Sequence, residues 1–227
     1  MIEMKQRFKA IIFDLDGTLI DIPDDSLFNR LLVETLADLD VRIPSKNDLK
    51  RLWVSGKDYV GILRDWGVGN IDEFWRVFDY KDFITRKDLI RSGVIRPFND
   101  IRVLEELSEE LKLGLVSNTI EEIVMMELES FDLKKHFSKI ITLGTVAQQF
   151  AKPEPDGIVW CLEALEVPAI SALTVGDQHI DIIAGKRAGS RTALLLRRKN
   201  QRVFKADFVF ETLYELERYI KRANKSG

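Results

Sequence analysis

The second half of the sequence alternates short apolar runs with segments of helical periodicity. The predicted strands are 113–116, 140–143, 172–175 and 192–196, with one more beginning near Phe208, and the predicted helices between them are 100–111, 119–131, 156–165 and 179–188. An earlier apolar run at 10–13 has the length of a buried strand. Strands separated by helices predict a parallel sheet covered on both faces, so we expect an α/β fold.

Residues 19–95 follow a different pattern, because apolar side chains recur there at helical spacing for about seventy residues. Asn70 and Glu73 stand at the two reciprocal positions of a capping box, which predicts a helix start. A helical block with its own apolar faces indicates a small second domain. We therefore predict a core formed by 1–18 and 96–227, interrupted by an all-helical domain at 19–95.

Two further capping-box pairs predict helix starts in the second half of the chain. Thr119 is followed three residues later by Glu122, and Thr212 by Glu215. In each pair the hydroxyl and the carboxylate are expected to accept hydrogen bonds from backbone amides of the first helical turn.

Polar clusters end four of the apolar runs. They are Asp14-Leu15-Asp16-Gly17-Thr18, Ser117-Asn118-Thr119, Lys152-Pro153, and Gly176-Asp177 with Asp181 one helical turn later. Ligands of open α/β sheets bind at the carboxyl ends of the strands. The clusters are therefore expected to meet in one site.

The composition narrows the class of partner. With 34 basic and 37 acidic residues the net charge is −3, which provides no positive field for nucleic acid or an anionic membrane, so a small molecule is the expected partner.

No apolar run approaches the roughly 18 residues of a membrane span. The first apolar run ends at Asp14, too early for a signal peptide, so we expect a cytoplasmic protein. The single cysteine, Cys161, excludes an intramolecular disulfide.

Taken together, the four clusters resemble the four motifs of the haloacid dehalogenase superfamily. The resemblance spans nearly the whole chain and implies a Rossmann-like core with a helical cap inserted after the first motif. It also implies an aspartate-nucleophile phosphatase acting on a small phosphorylated metabolite, similar to the phosphoglycolate phosphatases.

The resemblance assigns roles to the first and last clusters. Asp14 would be the nucleophile that forms an aspartyl-phosphate, and Asp16 the general acid and base. A carboxylate and a phosphate dianion repel each other, which calls for a cation such as Mg²⁺. Its ligands would be Asp14, the backbone carbonyl of Asp16, and Asp177. Thr18 belongs to the turn that supports the second acid.

The two middle clusters are expected to bind phosphate. The hydroxyl of Ser117 and the backbone amides of Asn118 and Thr119 lie between a strand and a helix, where hydrogen bonds to phosphate oxygens are favourable. By resemblance, Lys152 would steady the nucleophile and the transferring phosphoryl charge, and Asp181 would orient Lys152 rather than bind the metal.

Ser55-Gly56-Lys57, in the helical block, resembles the substrate-specificity loop of the superfamily. Lys57 would then contact an anionic group of the substrate. The alternative, a surface lysine in a turn, stays open at this point.

Three other functions share parts of this pattern. A sugar phosphomutase of the same superfamily has all four motifs and differs in its cap and in the lifetime of its aspartyl-phosphate. A 2-haloacid dehalogenase lacks an acid at the position of Asp16, because its leaving group needs no proton. A non-enzymatic phospho-switch also places acids at strand ends, but it is about half as long and has no cap. Either a monomer or a homodimer is expected.

Overall fold

The computed structural model describes residues 7–22, 26–199 and 201–225. Residues 1–6, 200 and 226–227 of the predicted core and 23–25 of the predicted helical domain therefore lie outside the described residues. Within the described part, no helix combines the length and apolar character needed to cross a membrane.

The strands form two sheets. The strands are β1 (Ala10–Phe13), β2 (Ile20–Asp21), β3 (Arg96–Pro97), β4 (Lys112–Ser117), β5 (Lys139–Thr142), β6 (Ala172–Gly176), β7 (Arg191–Leu195) and β8 (Phe208–Phe210). Six of them form a parallel sheet in the order β5-β4-β1-β6-β7-β8, and β2 pairs with β3 antiparallel. The predicted α/β fold is confirmed.

The α-helices lie between these strands, except the last one, which follows β8. They are α1 (Ser26–Asp38), α2 (Lys46–Leu52), α3 (Tyr59–Asp65), α4 (Ile71–Arg91), α5 (Val103–Glu110), α6 (Glu121–Ser130), α7 (Asp156–Leu165), α8 (His179–Arg187) and α9 (Leu213–Lys225). The first four helices lie between β2 and β3, which form a two-stranded connection to the six-stranded sheet.

Strand β1 lies at the centre of the large sheet, and its side chains alternate between two apolar layers. Ile11 and Phe13 pack in the layer that contains buried residues of α5, α6 and α9, whereas Ala10 and Ile12 pack in the layer that contains those of α7 and α8. Burial on both faces explains why the whole strand is apolar. The central position of β1 places the residue after Phe13 between the ends of β4 and β6.

Aromatic side chains hold the helices of the 19–95 block together. The rings of Trp53 and Phe78 lie 5.5 Å apart, those of Phe74 and Trp75 5.1 Å apart, and Phe28 packs 6.2 Å from Trp53. Asn70 caps α4 as predicted, because its side chain accepts a hydrogen bond from the amide of Glu73 at 3.1 Å.

The predicted capping box of α6 was wrong. The helix begins at Glu121 with Ile120 as its N-cap, and the hydroxyl of Thr119 donates instead to Asp16 at 3.0 Å. A partly buried carboxylate competes for that hydroxyl, and a hydrogen bond to a charged group is stronger than one to a backbone amide. At α9, Thr212 accepts from the amide of Glu215 at 3.2 Å as predicted, but the carboxylate of Glu215 accepts from the amide of Glu211 at 2.9 Å, which precedes the predicted cap.

Candidate active site

The polar clusters predicted from the sequence meet at the carboxyl edge of the large sheet. Asp14 directly follows β1, Ser117 is the last residue of β4, and Asp177 directly follows β6. Lys152 lies in the segment between β5 and α7, two residues after the 3₁₀-helix Thr145–Phe150. Since β5, β4, β1 and β6 are consecutive neighbours in the sheet, these side chains converge from four adjacent strand ends.

Lys152 joins the first and last clusters. Its ammonium donates hydrogen bonds to Oδ1 of Asp14 and, at 2.7 Å, to Oδ1 of Asp181, and its side chain is only 3% exposed. Burial alone lowers the pKa of Lys152, but the carboxylates of Asp14 and Asp181 raise it above its ordinary value. The lysine is therefore charged, and it holds the two carboxylates on either side of it.

Asp181 is held by contacts on both of its oxygens. Oδ1 accepts from Lys152, and Oδ2 accepts from the amide of Gln178 at 3.0 Å, which closes a capping box at the start of α8. Because both oxygens have partners, Asp181 fits a residue that orients Lys152.

Asn118 fixes the backbone of the lysine. Its side-chain amide donates to the carbonyl of Lys152 at 2.9 Å and accepts from the amide of Lys152 at 2.8 Å. The neighbouring hydroxyl of Ser117 accepts from the amide of Thr119 at 3.2 Å and is almost fully buried. The side chain of Asn118 thus positions Lys152, which leaves the backbone amide of Asn118 as its group for a phosphate.

Thr18 lies between two acids. Its hydroxyl oxygen is 3.1 Å from Oδ2 of Asp14 and 3.0 Å from Oδ1 of Asp177. A hydroxyl has one proton, so it can donate to only one of these carboxylates at a time. The turn also requires Gly17, whose φ is +80° and where an added Cβ would lie 2.7 Å from Oδ2 of Asp177.

The acids next to Lys152 carry more negative charge than one lysine neutralises. Burial raises the pKa of Asp14, and the carboxylates of Asp181 and Asp16 raise it further. Lys152 lowers it, but the net effect is a pKa of about 7. Burial and the carboxylates of Asp14 and Asp181 raise the pKa of Asp177 well above its usual range. Both shifts indicate a place where a further cation would be stabilising.

A divalent cation fits this place. One carboxylate oxygen from each of Asp14, Asp177 and Asp181 lies within 4.8 Å of the others. Oxygen donors of this kind suit Mg²⁺, and neither histidine nor the single cysteine belongs to the group. With both oxygens of Asp181 already engaged, Asp14 and Asp177 are the side chains that best fit as ligands.

One residue of the site was missed in the sequence. Arg86, on α4, donates to both oxygens of Asp16, at 2.7 and 2.9 Å. A local signal for it existed, because Asp82 and Arg86 continue the four-residue spacing of the buried Phe74 and Phe78 along the same helix face. Two charged residues on the buried face of a helix predict a buried ion pair.

Lys57 lies at the border of this region. It is exposed, within the 3₁₀-helix Gly56–Asp58, and it lines a cleft together with Glu154 and Arg187. A Cβ added at Gly56 would lie 3.0 Å from Oε1 of Glu154. The loop of Lys57 therefore contacts the segment that directly follows Lys152 in the sequence.

The fold and the site together define a class of hydrolase. Residues 11–195 match the family model described as haloacid dehalogenase-like hydrolase, and the chain belongs to that family. A pyrophosphatase PpaX from Listeria welshimeri is 32% identical over 223 residues, which cover 94% of this chain and 96% of the relative.

Two further relatives have different names. A phosphoglycolate phosphatase from Aquifex aeolicus is 34% identical over 194 residues, covering 83% of this chain and 84% of the relative. The crystal structure of CbbY from Rhodobacter sphaeroides in complex with phosphate has a TM-score of 0.71 at 22% identity, covering 92% of this chain and 96% of that one. The structural likeness supports the fold.

Proposed function

We propose that this protein is a magnesium-dependent phosphatase that hydrolyses a small phosphorylated metabolite through an aspartyl-phosphate on Asp14. The observation that carries the proposal is the position of Asp14. Its carboxylate lies at the end of the central strand, with Lys152 on Oδ1 and the Thr18 hydroxyl beside Oδ2. Two relatives are named for reactions at phosphate, a pyrophosphatase and a phosphoglycolate phosphatase.

In the first half of the reaction, a carboxylate oxygen of Asp14 attacks phosphorus and the bond to the leaving oxygen breaks. Asp16 donates a proton to that oxygen. Lys152 holds the attacking carboxylate in place, and its charge opposes the negative charge that gathers on the phosphoryl oxygens. The hydroxyl of Ser117 and the backbone amide of Asn118 are proposed to bind those oxygens.

In the second half, water attacks the phosphorus of the aspartyl-phosphate while Asp16 accepts its proton. The bond to Asp14 breaks and inorganic phosphate leaves. Asp181 keeps Lys152 oriented in both halves, and Thr18 keeps Asp14 and Asp177 apart at a fixed spacing. Mg²⁺ held by Asp14, the backbone carbonyl of Asp16 and Asp177 would offset the repulsion between the nucleophile and the phosphate.

We further propose that the helical block 19–95 is a cap that selects the substrate, while 1–18 and 96–227 perform the chemistry. The two-stranded connection β2–β3 and the contact of the Lys57 loop with Glu154 support this division. Lys57 is proposed to contact an anionic group of the substrate. The cytoplasmic location and the monomeric or homodimeric state stay predictions.

A screen of phosphorylated metabolites in the presence of Mg²⁺, with release of inorganic phosphate as the readout, tests the proposal. We expect phosphate release from several small esters or anhydrides. A sugar phosphomutase would instead convert a sugar phosphate into its isomer with little free phosphate, and a dehalogenase would release halide from 2-haloacids. Either of those results would replace the phosphatase assignment.

A further inference from the structure

Arg86 is the buried cation beside Asp16. This residue lies on the helix α4 of the proposed cap, yet its side chain is only 1% exposed. Nη1 and Nη2 donate to Oδ1 and Oδ2 of Asp16, at 2.7 and 2.9 Å. Two parallel hydrogen bonds of this kind form the bidentate pair for which a planar guanidinium is suited.

Two more carboxylates surround the same guanidinium. Nε donates to Asp82 at 2.9 Å, and Nη1 donates to Glu127 at 2.8 Å. The ring of Phe28 lies 4.9 Å from the guanidinium carbon. Asp82 belongs to α4 and Glu127 to the core helix α6, so Arg86 has fixed partners on both sides of the cap and core boundary.

The pair with Asp16 conflicts with the proposed role of that acid. Both oxygens of Asp16 are engaged, since Oδ2 also accepts from the hydroxyl of Thr119 at 3.0 Å. To transfer a proton to the leaving oxygen, Asp16 must give up at least part of the bidentate pair. The buried guanidinium then loses a partner, which is costly unless another anion takes its place.

We propose that Arg86 binds the leaving group of the substrate, and that an anionic part of that group replaces the carboxylate of Asp16 on the guanidinium. The location follows from Asp16: a group that contacts the proton donor lies on the side of the leaving oxygen. This inference rests on the proposed phosphatase function and names its substrate class. The substrates are phosphate esters or anhydrides whose leaving group carries a carboxylate or a phosphate.

The proposed exchange of anions explains why position 86 is an arginine rather than a lysine. A carboxylate and a phosphate both match the two-point geometry of the guanidinium that Asp16 occupies in the structure. A substrate with a neutral leaving group offers no such replacement. Arg86 would therefore favour anionic leaving groups through the interaction that they gain, and disfavour neutral ones through the partner that it loses.

The test compares three substrates in Mg²⁺, namely 2-phosphoglycolate and pyrophosphate, whose leaving groups are anionic, and phenyl phosphate, whose leaving group is not. Arg86→Lys keeps the charge but loses the two-point geometry. We expect it to lower kcat/KM for the first two substrates about 10- to 100-fold more than for phenyl phosphate, as the loss of one charged hydrogen-bonded contact predicts.

Removing the charge of Arg86 alone would leave its carboxylate partners buried without a cation. Arg86→Gln is therefore made together with Asp82→Asn and Glu127→Gln, and the matched control carries only Asp82→Asn and Glu127→Gln. Relative to that control, the triple variant should lose the same preference for anionic leaving groups. Thermal unfolding of both variants verifies that each is folded.

A binding measurement separates the leaving-group contact from an effect on proton transfer. Asp14→Asn should abolish turnover and leaves Asp16 in place, so dissociation constants can be measured by calorimetry for Asp14→Asn with and without Arg86→Lys. Adding Arg86→Lys should weaken the binding of 2-phosphoglycolate about tenfold and that of phenyl phosphate much less. A residue that only orients Asp16 would leave both constants unchanged.

Equal losses on all three substrates, or an unchanged ratio between them, would overturn the role of Arg86 while leaving the phosphatase function intact. A wild-type protein that prefers phenyl phosphate would overturn it as well. Failure of the wild-type protein to release phosphate from any of the three and from every compound of the metabolite screen would instead refute the proposed function itself.

Discussion

Two clusters of buried charge meet at the candidate site, one around Lys152 and the other around Arg86. The partners of Lys152, Asp14 and Asp181, lie at the carboxyl edge of the large sheet. The partners of Arg86 come from α4 of the proposed cap, α6 of the proposed core and the loop after β1. The first cluster lies within the proposed core, whereas the second joins the proposed cap to it.

The two cations also differ in how they bind a carboxylate. A lysine ammonium is a compact point charge that can hold two carboxylates without a fixed plane, which suits a nucleophile whose other oxygen must attack phosphorus. An arginine guanidinium binds a carboxylate at two points, which suits the exchange of one planar anion for another. In the proposed mechanism, the Lys152 cluster therefore performs the chemistry and the Arg86 cluster recognises the leaving group.

The largest effect should come from Asp14, at the centre of the first cluster. Asp14→Asn removes the nucleophile, so turnover and covalently bound phosphate should both fall below detection. Phosphate release and mass spectrometry of the intact protein measure the two. A variant that kept nearly the wild-type rate would disprove the assignment of the nucleophile, and Asp156→Asn, at the start of α7 outside both clusters, is a control.

Removal of divalent metal should have a comparable effect, because the proposed cation would be held by Asp14 and Asp177 at the first cluster. We expect excess chelator to abolish hydrolysis of an aryl phosphate and Mg²⁺ to restore it. Phosphate release before and after metal addition is the measurement. Undiminished hydrolysis by carefully demetallated enzyme in chelator would show that Asp14 and Asp177 act without a metal.

Asp16 lies between the clusters, and its loss should be less severe. Asp16→Asn should slow the reaction by the roughly 10²- to 10⁴-fold that general acid–base catalysis supplies. The loss should be smaller for p-nitrophenyl phosphate, whose leaving group needs little protonation. Equal losses on alkyl and p-nitrophenyl phosphates would contradict proton transfer as the function of Asp16.

The Arg86 cluster should also affect stability in a pH-dependent way. Burial raises the pKa of Glu127, and the carboxylates of Asp16 and Asp82 raise it further. Arg86 acts in the opposite direction, and the net effect is a rise of the pKa from 4.5 to about 8. Between about pH 4.5 and pH 8, Glu127 therefore keeps its proton in the folded state but has lost it in the unfolded state. The contribution of Glu127 to the free energy of unfolding is therefore full below about pH 4.5 and decreases as the pH rises towards 8.

Glu127→Gln should remove this dependence. Urea denaturation between pH 5 and 8 should show a smaller decrease in the free energy of unfolding for the variant than for the wild type. Glu109→Gln, at an exposed position on α5, is the matched control and should keep the wild-type slope. Parallel slopes for the Glu127→Gln variant and the wild type would mean that Glu127 titrates alike in both states.

The smallest effect should come from Lys57, at the edge of the site. Lys57→Ala should change the ranking of metabolite phosphates a few-fold, mainly in kcat/KM, because an exposed cation gains less from an anion than a buried one does. Its effect should thus be well below that of Arg86→Lys. An unchanged ranking would remove the Lys57 loop from substrate selection and leave Arg86 as the proposed recognition residue of the cap.

Local sequence was sufficient for most of the core. Each strand of the six-stranded sheet was predicted within one or two residues, and α7 at its observed bounds, because apolar runs and helical periodicity are properties of neighbouring residues. The two-residue strands β2 and β3 were not predicted, because they are too short to form an apolar run. Helix α5 begins at Val103 rather than at Asp100, whose carboxylate instead accepts from Arg197 at 2.7 Å and from the amide of Leu213 at 2.8 Å. Partners 97 and 113 residues away have no local signal.

The sequence by itself determined the α/β fold and the edge at which the polar clusters meet, because strand ends are marked where apolar runs stop. The resemblance of the motifs already predicted Lys152 beside Asp14, whereas only the tertiary structure decided that Arg86, 70 positions further along the chain, pairs with Asp16. The physical reason is that such pairings depend on burial and on distances between distant segments. Helical spacing places Arg86 on the buried face of α4, but only the packing of that helix against the core brings it to Asp16.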